Sequence, residues 1–406
     1  MSEAPIHFGI YLGAEYSCIA RSREERVEVF KNSWNSEITP SAVWIDRDEA
    51  LHVGQRAQDR LENDPGNAFR DFMRLMGTTQ ECRFLRSGRI MRPEDLSAEV
   101  LKSLKEDVKQ RTNEDLEAAV ITVPVTFELP QCEATKKAAR LAGLSVSPLL
   151  PEPVAAAIAY GFHRAKDKVF WLIYELGGGT FDATVVQLRD GLIQVVDHGG
   201  DNHLGGKLLD WEILEHLMVP ALVNEYELSD FRRGNPKWIA AFAKLKLRAE
   251  EARIQVSHRE SAKIIIEYLC MDDRGRPVSV DYDLKGSDVK RLAEPFITRS
   301  IEISKKLLAE NRLGTGAIEK LLLVGSPSLM PFLTERLRDS RDGLGIPIEF
   351  SLDPLTVFAR GAAIFAGTQR LRSEPETDEM QNIRFEQEAR EFVVGFEQFY
   401  GKKGGS

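Results

Sequence analysis

Cysteine is scarce: four in 406 residues, at positions 18, 82, 132 and 270, with no CxxC among them. That scatter excludes a zinc ribbon or a disulfide framework, and a reducing, cytoplasmic setting is expected. Basic charge is also short. Lysine and arginine number 54 against 63 aspartates and glutamates, a net of −9, so a protein that tracks nucleic-acid phosphates is not expected. No apolar run reaches the roughly 18 residues that a membrane-spanning helix requires. The opening MSEAPIHFGIYLG enters a strand pattern directly, so no charged-then-apolar leader is expected. A GxxxxGK[ST] loop is missing as well, which excludes a P-loop nucleotide site. What is present, 43% apolar and 29% charged residues, suits a globular protein too long for one small core.

Short β-rich runs alternate with helical patterns, which predicts an α/β fold. Residues 7–11 and 17–22 read as strands around a turn, 118–124 as a buried strand, and 169–175 and 181–188 as two more strands. Residues 97–110 predict a helix capped by Ser97, Pro130 opens another that Gly143 ends, and 238–256 form a long helical block. A late strand at 320–324 runs into Gly325. Residues 373–406 are polar and acid-rich. Phe385, Phe392 and Phe396 there predict a peripheral helix docked on its own domain.

One internal echo stands out. Ile10-Tyr11-Leu12-Gly13 and Tyr174-Glu175-Leu176-Gly177 both run from a strand end into a small-residue turn and a second strand. Such a repeat predicts two related lobes, each offering a turn to a shared cleft. In the second turn, Gly177, Gly178 and Gly179 let backbone N–H groups converge on an anion, Thr180 adds a hydroxyl, and Glu175 and Asp182 suit a hydrated Mg²⁺. The bland alternative is a glycine-rich hairpin with its acids in solvent. A second glycine turn, Gly205-Gly206, follows His203, which is expected to be structural because no serine or cysteine nucleophile stands near it. Glu250, Arg253 and Ser257, spaced by three and four, share one helix face, either a ligand face or merely a charged exterior.

Taken in order, HFGIYLGAEYSCIA, AAVITVPVTF, PEPVAAAIAYG, YELGGGTFDATVV, GDNHLGG, LRAEEARIQVS and LLLVGSPSLMP resemble the nucleotide-binding domain of the DnaK-type heat-shock 70 chaperones, from about residue 7 to 372. The resemblance implies a two-lobed actin-like ATPase (ribonuclease H-like) fold, each lobe a mixed five-stranded sheet with flanking helices. Lobe I would take about 1–167 plus 353–372, and lobe II about 168–352. It implies ATP or ADP with Mg²⁺ as cofactors and a client or co-chaperone protein as partner. By position, Gly13 falls in the first phosphate loop and Gly177–Gly179 with Thr180 in the second. Glu152 matches a glutamate that senses Mg²⁺ and nucleotide. Gly205 and Gly206 lie beside the β-phosphate, Glu250, Arg253 and Ser257 beside adenosine, and Gly325 and Ser326 near base and ribose.

The departures from that family concentrate in the first lobe. Tyr11 replaces an aspartate, Ala14 and Glu15 two threonines, and Met73 the catalytic lysine, while Glu175 keeps an acid one carbon longer. Ser326, Pro327, Leu329 and Leu355 also differ from the family pattern. Arg70 is preferred over Arg74 as a substitute cation, on helical spacing. A carboxylate such as Glu15 at ~4 Å from a phosphate charge costs about 4 kcal/mol at an effective dielectric near 20. The expectation is a nucleotide-responsive switch with impaired hydrolysis, the alternative a pseudo-ATPase scaffold, and a small-molecule kinase a distant third. No alternating strand series follows residue 372, so a peptide-gripping β-sandwich is not expected there.

Overall fold

In the computed structural model the described residues are 6–24, 26–145, 147–162, 168–189, 192–367 and 393–395. Two sheets of one topology dominate. In lobe I, β1 (Phe8–Leu12), β2 (Tyr16–Arg23), β3 (Arg26–Val29), β4 (Val120–Val123) and β5 (Leu149–Pro151) lie in the order β5-β4-β1-β2-β3. In lobe II, β6 (Phe170–Leu176), β7 (Phe181–Arg189), β8 (Leu192–Asp201), β9 (Ile318–Val324) and β10 (Ile348–Glu349) lie in the order β10-β9-β6-β7-β8. The first strand of each set pairs antiparallel with the second and parallel with the fourth. Each sheet carries a sixth short strand beyond the five expected: Thr39–Pro40 beside β2 and Val393–Gly395 beside β8.

The register makes the echo in the sequence a structural one. Tyr11 faces Thr122 on one side and Cys18 on the other; Glu175 faces Val324 and Asp182. Leu12 pairs with Ser17 and Leu176 with Phe181, so the two turns have equal length. Tyr11 and Glu175 are therefore equivalent positions, as are Gly13 and Gly177.

Between the sheets lie α3 (Glu152–Ala159) and α7 (Val357–Ala366), with the intervening layer filled by Val154, Ile158, Trp171, Ile173, Leu322 and Phe358. These helices are rich in alanine because they approach so closely. A β-carbon on Gly9 would lie 2.6 Å from the Ala359 carbonyl, and one on Gly361 would overlap the backbone of Ala155. This tight layer sets the spacing of the two turns that face the cleft.

The expected helix at 97–110 begins earlier, as α1 (Pro93–Thr112), with Arg92 at its N-cap. Ser97 is no cap: it lies inside the helix, and its hydroxyl donates to the Pro93 carbonyl at 2.8 Å. Proline in the first turn was the missed start signal. The helix after Pro130 is α2 (Leu129–Leu141), and Gly143 closes it at φ 75°. Lobe II adds α4 (Gly206–Ile213), α5 (Ile239–Val256) and α6 (Gly286–Glu310). The tail helix expected around Phe385, Phe392 and Phe396 lies outside the described residues. Among those described, no helix is long and apolar enough to cross a membrane.

Candidate functional site

The lobe II wall of the cleft is made of two glycine turns held together by their backbones. Gly177 N–H donates to Thr180 O at 2.9 Å; Gly206 N–H donates to Gly177 O at 3.1 Å and Lys207 N–H to Gly178 O at 2.6 Å. A β-carbon on Gly205 would lie 2.5 Å from Gly179 N, so only glycine lets the turns meet. His203 is exposed, and its backbone N–H donates to Asp201 Oδ1 at 2.9 Å.

Helix α5 supplies the next layer. Arg253 is buried, and its Nε donates to Asp210 Oδ1 at 2.5 Å. Burial works against the charge on Arg253, yet Asp210 holds its pKa above the usual guanidinium value. Ser257 turns back to its own helix, donating to the Arg253 carbonyl at 3.3 Å. Glu250 Oε2 and Asp210 Oδ2 are buried with no hydrogen-bond partner among the described residues. Gly325, at φ 91°, precedes the 3₁₀ turn Ser326–Leu329. Pro327 of that turn closes on Gly206, where a β-carbon would sit 3.2 Å from Pro327 Cγ, whereas Leu329 is 36% exposed.

Lobe I presents a different wall. The Tyr11 ring packs on Tyr16 at 5.4 Å and on Phe358 at 5.1 Å, and its hydroxyl backs Gly13. Burial, then the nearby Tyr16, Glu152 and Glu175, push this phenol well above its usual pKa, so it stays neutral. Three acids gather behind it. Burial and Asp182 push Glu152 up to about 8. Burial, then Glu152 and Asp182, push Glu175 well above the carboxylate range. Burial raises Asp182 to about 6, against the pull of His198. No group of three His, Cys, Asp or Glu among the described residues is placed to hold a metal directly.

Glu15 crosses the cleft. Its carboxylate rests on the Cα of Gly178, where a β-carbon would overlap it, and lies 3.5 Å from Lys207 Nζ. Lys207 also pairs with Asp71, whose carboxyl is held below its usual range by Lys207 and Arg70 although burial opposes this. Arg74 lays its guanidinium on Gly179. Arg70 reaches Asp71 and Glu250, each at 3.5 Å. The preference for Arg70 over Arg74 is thus overturned: 68–70 is a strand and Phe72–Leu75 a 3₁₀ turn, so helical spacing does not apply. Met73 turns into the lobe I core, its Sδ 3.1 Å from Ser97 Oγ. Sequence reasoning missed Asp71, Asp210 and Lys207; a cation directly after Gly205-Gly206 was the one available signal for the last.

The Hsp70 protein family model matches residues 7–381. The chaperone protein DnaK of Mycoplasmopsis pulmonis is 34% identical over 363 residues, which covers 89% of this chain and 58% of that protein. DnaK of Mycoplasma mobile is 34% identical over 357 residues, 88% of this chain and 57% of that protein. DnaK of Ureaplasma parvum serovar 3 is 32% identical over 363 residues, 89% and 58% respectively. The chain therefore spans less than two thirds of the length of these relatives. With two sheets of one topology, each sending a turn of equal length toward the cleft, and a family match across nearly the whole described region, this chain belongs to the Hsp70 family.

Proposed function

We propose that the chain is a chaperone-system nucleotide-binding module that responds to ATP or ADP by shifting its lobes and hydrolyses ATP weakly or not at all. The observation that carries the reading is the contrast between its walls. Lobe I offers a neutral phenol at Tyr11 where lobe II has Glu175, and Met73 is withdrawn into the core. Removing one preorganised transition-state donor slows catalysis about 10²–10³-fold. The nucleoside end fits better: Asp210 Oδ2, without a hydrogen-bond partner among the described residues, suits a ribose hydroxyl donor, and Glu250 Oε2 would share a second one with Arg70, 3.5 Å away. The phosphate end does not fit, because the Glu15 carboxylate lies on the glycine loop, and no hydrolytic step is derived for it. Glu175 and Asp182 would hold hydrated Mg²⁺ through water, and the ion would neutralise their crowding. Co-chaperone or client proteins, in the cytoplasm, are the partners of this reading.

The links across the cleft favour a second reading, a pseudo-ATPase scaffold that closes without nucleotide. Thermal denaturation with millimolar Mg-ADP and Mg-ATP separates the two. A rise in melting temperature, with phosphate release at least 100-fold slower than that of Mycoplasmopsis pulmonis DnaK assayed alongside, is the expected result. No shift with either nucleotide leaves the scaffold; release at the DnaK rate ends the impairment claim.

A further inference from the structure

We propose that Glu15 is a resident anion: it occupies the glycine cradle of lobe II in place of a phosphate, latches the lobes, and must be displaced before a phosphate can enter. Three observations converge on it. The carboxylate lies against the Cα of Gly178, in the middle of the turn whose glycines leave room for an oxyanion. It lies 3.5 Å from Lys207, the cation that follows the neighbouring glycine turn. Lys207 is itself tied to Asp71, so the ammonium already has two acidic partners.

Each link joins one lobe to the other. Glu15, Asp71, Arg70 and Arg74 come from lobe I; Gly178, Gly179, Lys207 and Glu250 come from lobe II. Three acids (Glu15, Asp71 and Glu250) alternate with two bases (Lys207 and Arg70), and Arg74 lies beside them on Gly179. Such a set lets the charges of the two walls satisfy one another directly across the cleft. An incoming phosphate brings its charge into contact with Glu15 and competes for a cation that is already engaged. The penalty grows with the number of phosphates that reach the cradle. Glu15 thereby makes the cleft select ligands with fewer phosphates, adenosine and ADP ahead of ATP; this selectivity, unlike the latch, rests on reading the cleft as a nucleotide site.

The test uses the full chain with Glu15→Gln, which keeps the shape and removes the charge, and Glu15→Asp, which keeps the charge on a shorter arm. Hydrogen exchange of amides 177–180 without nucleotide reads the latch. Calorimetric titration with inorganic phosphate, adenosine, Mg-ADP and Mg-ATP reads the competition. Glu15→Gln should speed that exchange at least tenfold, tighten phosphate and Mg-ATP at least tenfold, tighten Mg-ADP less, and leave adenosine unchanged. Glu15→Asp should fall between it and the parent. Unchanged exchange together with equal affinities overturns the inference and leaves the proposed function standing. A parent that binds nothing beside a Glu15→Gln that binds Mg-ATP upholds the inference and removes the proposed function. If no protein binds any ligand, exchange alone decides: a tenfold rise upholds the latch and no change overturns it.

Discussion

The two lobes share a strand order, a register and a turn length, yet their cleft-facing residues differ in kind. At the equivalent position on the first strand, one lobe has Tyr11 packed on Phe358 and the other has Glu175 among acids. In the turns that follow, Ala14-Glu15 stands against Gly178-Gly179. Strand order depends on the buried faces, which both sheets keep apolar, whereas turn residues carry little of the core and can change chemistry without changing the fold. Lobe II buries an ion pair, Arg253 with Asp210; lobe I buries Met73 beside Ser97 and packs Tyr11 against Phe358 of α7.

The largest test of that contrast is Arg253→Met. It leaves Asp210 buried without its partner, and should cost about 3–5 kcal/mol in a denaturant titration. Arg74→Met, on the exposed side of the lobe I wall, should cost less than about 1 kcal/mol. Equal losses would break the distinction between the walls.

A middle-sized effect concerns the acids behind Tyr11. In the unfolded chain Glu152 titrates near 4.5, and in the fold at about 8. Below pH 4.5 it is protonated in both states and its contribution is intact. As pH rises toward 8 the unfolded chain releases a proton that the fold retains, so stability falls. Glu152→Gln should flatten this decline between pH 5 and 8 and be more stable than the parent at pH 8 by up to about 4 kcal/mol. A parallel fall in both proteins, followed by melting temperature, would mean that Glu152 is solvated.

The smallest effect is at the rim, where Arg248 stands 4.0 Å from Glu62 across the lobes. Arg248→Gln should change stability by about 0.5 kcal/mol or less, a difference that disappears in 0.5 M salt. A larger value would show that the rim, as well as Glu15, holds the cleft shut.

Much of this architecture was readable in advance, for identifiable reasons. The strands around both turns announced themselves as apolar runs ending in small residues, and α2 by its proline and Gly143. The start of α1 was misplaced because Ser97 resembles a cap, while its hydroxyl in fact bonds back to Pro93. Arg74 directly follows Met73, and neighbours on a helix or strand point apart; the preference for Arg70 assumed a helix between 70 and 73, where the chain is strand and 3₁₀ turn. Lys207 went unnoticed because nothing local says that a lysine after two glycines will meet an acid about 190 residues earlier in the chain.

By itself the sequence determined the α/β class, the paired turns and the family, because apolar periodicity, glycine and residue type act locally. Tertiary structure alone decided which way Glu15 points, that Arg74 rather than Arg70 meets the glycine loop, and that Asp71 shares Lys207. Those choices depend on two lobes meeting across a gap set by α3 and α7, and a charged side chain settles on whichever partner that distance brings within reach.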